Sequence, residues 1–157
     1  MLGVKYSYSF LGPVLALFLG CIHFKFISSE FNLKGELNII AYGGLLGLTV
    51  EFLYLHCGLL NYNGYIFENS FFPPMWIICM WLAFSGTLNH SMSWMKGRWV
   101  LMIVSGALFG PLSYMAGINF GIISFNYNLY ASYLAISLVW AISIPGLYII
   151  NNLVNEK

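Results

Sequence analysis

Five long apolar runs, separated by short polar or charged punctuation, make up almost the whole chain. Residues 6–24, 37–60, 73–94, 99–123 and 129–150 are predominantly apolar, and each is close to or above the roughly 20 residues that one helix needs to cross a bilayer. A membrane β-barrel would instead show short segments of alternating apolar and polar residues. The pattern predicts an all-α, polytopic membrane helix bundle of five transmembrane helices, forming one domain over residues 1–157. The clearest stretch lies between Arg98 and Glu156, where 57 residues pass without an Asp, Glu, Lys or Arg.

The punctuation also orients the bundle. Lys25, Glu30, Lys34 and Glu36 mark residues 25–36 as a charged loop; Asn61, Asn63, Gly64 and Asn69 mark residues 61–72 as a turn-rich one. Pro73-Pro74 opens the third run, where proline is tolerated in a first helical turn. Residues 95–98 form a tight basic loop, and residues 124–128 a short turn. With five crossings, Lys25, Lys34, Lys96, Arg98 and Lys157 fall on one side and Lys5 alone on the other. Cytoplasmic loops carry the excess of Lys and Arg. The expected orientation is N-terminus outside and C-terminus cytoplasmic.

Composition agrees with this class: 60% of residues are hydrophobic, 7% are charged, and the mean hydropathy is +0.80. A formal net charge of +1 supplies no basic patch, so a nucleic-acid partner is not expected. Cys21, Cys57 and Cys79 are odd in number and lack paired spacing, and read as small apolar filler. Lys5 followed by residues 11–19 and Gly20-Cys21 loosely resembles a lipoprotein signal. Phe18-Leu19 is bulky before the cysteine, however, and the apolar run continues past it. The segment reads as an uncleaved first helix.

Gly43/Gly47, Gly106/Gly110 and Gly117/Gly121 are small residues four apart, the spacing that lets membrane helices approach closely. Gly110-Pro111 should kink the fourth helix, because proline removes a backbone donor and crowds the preceding turn.

Two polar layers follow from a rise of about 1.5 Å per residue. The outer one holds Glu51, with Ser113, Tyr114 and Ser137 at matching depth. The inner one holds His90 and Asn89, with His23, Asn38 and Tyr42. Glu51 and His90 lie about 15 Å apart in depth, too far for a direct acid–base pair. A carboxyl is expensive to charge in hydrocarbon, so Glu51 is expected to be neutral and hydrogen-bonded across helices, to Tyr114 or Ser113. Ionisable residues inside a membrane also mark functional sites. Glu51, Tyr114 and His90 are therefore the candidate catalytic residues, and Ser113, Ser137, Asn89, His23 and Tyr42 the candidate ligand contacts. His23 and His90 at one depth could in principle bracket a haem iron. No wider haem signature or paired metal-ligand motif accompanies them, and neither a cofactor nor a metal is expected.

The order of motifs resembles a family of small bacterial inner-membrane proteins catalogued as domain of unknown function twenty-eight seventy-eight. The resemblance is carried by Gly43-Gly44…Gly47…Glu51, Gly58-Leu59-Leu60, Pro73-Pro74-Met75-Trp76…Trp81-Leu82-Ala83-Phe84, Thr87-Leu88-Asn89-His90…Trp94 and Gly106…Gly110-Pro111-Leu112-Ser113-Tyr114…Gly117. It implies a bacterial inner-membrane setting and no particular chemistry. The chain differs from the family pattern in carrying Glu51 where relatives carry Asp, and is expected to lack an N-terminal helix that they have.

Three functional readings remain. One is a non-enzymatic component that binds membrane lipids, a membrane-protein partner or a second copy of the chain. Another is a lipid-modifying enzyme using Glu51 and Tyr114, which requires a cavity reaching Glu51. The third is a small proton-coupled carrier, disfavoured because five spans do not divide into the repeats usual for carriers.

Overall fold

A computed structural model describes residues 11–26, 33–66 and 71–155. Among the described residues five α-helices follow one another as α1 (Leu11–Phe26), α2 (Leu33–His56), α3 (Met75–Gly86), α4 (Trp99–Asn119) and α5 (Leu129–Asn155). Each matches one of the five apolar runs. Three of them, α2, α4 and α5, are long and apolar enough to cross a membrane. Lys5 and Lys157, two of the cations used for orientation, lie outside the described residues.

Three expectations are corrected. First, within an all-helical architecture the second and fourth spans do not stay helical to residues 60 and 123. Strand β1 (Leu60–Tyr62), following α2, pairs antiparallel with β2 (Ile123–Phe125), following α4, in the register Leu60↔Phe125, Asn61↔Ser124 and Tyr62↔Ile123. Both helices stop short of the expected span ends. Each is followed by a glycine with positive φ, Gly58 at 67° and Gly121 at 69°. This conformation costs a residue without a Cβ little, and it turns the chain out of the helix. Gly121 is thus a turn residue rather than half of a packing pair. Asparagines sew the ribbon together: Asn61 Nδ2 donates to Asn126 Oδ1 at 2.6 Å, Asn126 Nδ2 to the Gly58 carbonyl, and Asn63 Nδ2 to the Gly121 carbonyl.

Second, the third run is not one helix. α3 has 12 residues, about 18 Å of rise against a hydrocarbon core of roughly 30 Å. Residues 87–98 continue as turns and a single 3-10 turn, Ser93–Met95. Thr87, Asn89, His90, Ser91 and Ser93 are poor helix formers whose side chains compete for backbone groups. Thr87 Oγ1 donates back to the Phe84 carbonyl at 2.6 Å.

Third, α2 begins inside the expected charged loop, so Glu36 stands in its first turn and is buried.

α2 packs against α3 and α5, α5 against α4, and α1 against α3. Thus α2 and α5 form a back wall, flanked by α3 on one side and α4 on the other. Glycines set the closest approaches. A Cβ on Gly47 would lie 2.2 Å from Trp81 Cγ, and one on Gly106 2.4 Å from the Trp140 carbonyl oxygen. Trp140 also fills the space over Gly110, where a Cβ would come within 2.4 Å of its Cγ. Gly110→Leu is therefore expected to overpack the α4–α5 contact and cost about 1–3 kcal/mol, read as a lower midpoint of unfolding in detergent. Unchanged stability would mean that Trp140 does not seat there.

Pro111 lies inside an α4 that runs unbroken from Trp99 to Asn119. Its ring removes the donor that would have served the Ala107 carbonyl. Ser137 on α5 supplies the replacement, its hydroxyl donating to that carbonyl at 2.8 Å. A neighbouring helix thus satisfies the group freed by proline.

Candidate functional site

Glu51 is completely buried on α2, one turn after Gly47. Three donors converge on its carboxyl. The Trp81 indole N–H donates to Oε1 at 2.7 Å, the Tyr62 hydroxyl to Oε2 at 2.5 Å, and the Tyr114 hydroxyl to Oε1. They arrive from α3, β1 and α4, so one carboxyl ties four elements together. Gly47 makes this possible, because the Trp81 ring occupies the space that a side chain there would fill. Burial, and then the neighbouring Glu51 carboxyl, push the Tyr62 phenol up, so it keeps its proton and remains a donor.

Of the predicted outer-layer partners, only Tyr114 reaches Glu51. The Ser113 hydroxyl donates to the Gly110 carbonyl of its own helix at 2.6 Å, and Ser137 is committed to Ala107. Tyr62 and Trp81 are partners that sequence reasoning missed. By sequence Tyr62 falls in an outer loop, and only the ribbon folds it back over the carboxyl. Trp81 resembles any apolar helical residue until the glycine opposite it is placed.

The inner layer is also rearranged. His90 Nε2 pairs with Glu36 Oε1, joining the turn after α3 to the start of α2. Asn89 and Asn151 form a reciprocal amide pair, with N···O distances of 3.2 and 2.5 Å, joining the same turn to α5. The Tyr148 hydroxyl donates to the Met92 carbonyl at 2.6 Å. Buried non-helical backbone and polar side chains need hydrogen-bond partners, and these contacts supply them here. His90 is thus engaged with Glu36, a residue read from sequence as loop. Tyr42 is exposed and does not join the cluster; the side chain of His23 lies outside the described residues. Among the described residues no group of three or more His, Cys, Asp or Glu side chains could hold a metal.

Between α3 and α4 the bundle opens into a cavity of about 360 Å³. This lies within the roughly 300–1,000 Å³ of small-molecule sites. Glu51 forms part of its back wall, with Trp140 and Ile144 of α5. Trp76 and Trp81 line one side, Ser113 and Tyr114 the other, and Ile123 of the ribbon also lines it. Trp81 and Trp140 stack at a centroid distance of 4.6 Å, 24° from parallel. Met80 and Phe109, both lining residues, are exposed on the outer faces of α3 and α4, so the cavity opens sideways. Chemically, it is an apolar, aromatic slot that touches a carboxyl already held by three donors.

No curated protein and no solved structure matches the chain. The model of the family described as "Protein of unknown function (DUF2878)" matches residues 1–146, and the chain belongs to that family.

Proposed function

We propose that the protein is a multi-pass component of a bacterial inner membrane that binds lipid, non-enzymatically, in the lateral cavity between α3 and α4. The observation that carries this reading is the cavity itself. It is apolar, it opens sideways between Met80 and Phe109, and it lies among helices of membrane-spanning character. An apolar slot open to a bilayer fills with hydrocarbon, because lipid chains make the dispersion contacts that its walls otherwise lack. Native mass spectrometry of protein released from detergent should show a retained lipid on the wild type. Ser105→Phe, which places a bulky ring on the cavity wall, should release it. Equal retention by both proteins would defeat the reading.

A lipid-modifying enzyme is the second reading, favoured by one observation: Glu51 and Tyr114 are hydrogen-bonded and both line the cavity. Against it, the carboxyl is fully buried and already accepts from three internal donors. An acid–base residue needs to reach the reacting proton directly or through one water.

The proposed topology has five crossings, with the ribbon outside and the turn after α3 facing the cytoplasm. The basic residues Lys34, Lys96 and Arg98 stand at the latter end. A fluorescent protein fused after Lys157 should glow in cells, and alkaline phosphatase fused there should be inactive. The reverse pair of results would overturn the topology.

A further inference from the structure

The hydrogen-bond directions on the cavity wall restrict the polar end of whatever it holds. Trp81 and Tyr114 donate to Glu51, Trp76 Nε1–H to the Asn63 carbonyl at 3.0 Å, Ser113 to the Gly110 carbonyl, and Ser105 to the Met102 carbonyl at 3.0 Å. The Trp140 N–H has no hydrogen-bond partner, but it is covered by protein. The wall therefore exposes no free donor to the cavity. What remains is acceptor capacity, because a serine oxygen that donates its one proton still has two lone pairs. Ser113 is half-buried and lies toward the ribbon, at the level of Tyr114 beside it; the lining below it is apolar apart from Ser105.

We propose that the cavity selects a single-chain amphiphile whose polar end is a hydroxyl, donating to Ser113 Oγ, with its chain running along Trp81 and Trp140 toward Met92. The inference rests on the lipid-binding reading and deepens it. A hydroxyl brings the donor that the wall lacks. An ether, ester or ketone brings only acceptors, and Ser113 could serve them only by abandoning the Gly110 carbonyl. Sites that hydrogen-bond a hydroxyl discriminate strongly against analogues without one, because a buried group is then left unpaired.

The test uses fluorescence of the cavity tryptophans in a background with the exposed Trp94 and Trp99 changed to Phe, in detergent. The probes are a mid-chain dibrominated octadecanol and its methyl ether, whose bromines quench nearby indoles. The alcohol should bind about tenfold more tightly than the ether, the factor that one hydrogen bond of ordinary strength supplies. Ser113→Ala should bring the alcohol down to the ether and leave the ether unchanged. Equal binding of both probes to the Ser113-containing protein, or an alcohol preference that survives Ser113→Ala, would overturn the hydroxyl assignment while leaving the lipid reading standing. Saturable quenching by neither probe would overturn both.

Discussion

Replacing Glu51 with Leu is expected to destabilise the protein by about 3–5 kcal/mol, whereas Glu51→Gln should stay within about 1 kcal/mol of the parent. The leucine leaves Trp81, Tyr62 and Tyr114 pointing three donors at hydrocarbon in a fully buried place. Each buried donor without an acceptor costs about 1–3 kcal/mol, and partial relaxation keeps the total below the sum. That exceeds the roughly 0.6 kcal/mol average for a hydrogen bond between membrane helices. The difference is expected, because here the alternative is an orphaned group, not another partner. Glutamine keeps the shape. Its carbonyl oxygen can accept from Trp81 and one phenol, and its amide can donate to the oxygen of the other. Unfolding in detergent, followed by near-ultraviolet circular dichroism of the tryptophans, reads both variants. A leucine variant as stable as the parent would show that the carboxyl does not organise the bundle. A glutamine variant that folds normally yet loses a cellular phenotype would turn the balance toward the enzyme reading.

The second large effect is expected at the opposite end of the bundle. His90→Ala removes the partner that the buried Glu36 carboxyl has in the turn after α3. Breaking a buried ionisable pair from one side costs up to about 3–5 kcal/mol, because one group keeps its desolvation and loses part of its compensation. Removing both partners is gentler. Glu36→Leu combined with His90→Leu should recover much of the loss, so the two single changes will not be additive. The double-mutant cycle in detergent unfolding isolates the pair. Additive losses would mean that Glu36 and His90 are held independently, and the turn would then rest on Asn89, Asn151 and Tyr148 alone.

These two sites locate what could be read from the chain. Composition and run length decide the solvent of a segment, and they do so residue by residue. The uncharged stretch after Arg98 and the apolar runs therefore located the five helices, three of which are long and apolar enough to cross a membrane. The cost of a bare carboxyl is equally local. Glu51 thus reads as a group that must find hydroxyl partners, and depth along a helix of known rise narrows them to Tyr114, Ser113 and Ser137, of which Tyr114 makes the contact.

What the sequence left open depends on where backbones meet. Tyr62 reaches Glu51 only because two helices end early and their continuations, distant in the chain, pair with each other. Trp81 reaches it only because Gly47 is on the facing helix. Ser137 has the right depth for Glu51, but it serves the carbonyl orphaned by Pro111, a need created on α4 and met from α5. Glu36 looks like loop charge until the break after α3 brings His90 to it. The cavity has no local signature, because it is the space left where α3 packs on α2, α4 packs on α5, and nothing fills the gap between them. Burial and hydrogen-bond demand are properties of single residues and are written in the sequence; which partner meets each demand is set by helix ends and crossings that only the assembled bundle fixes.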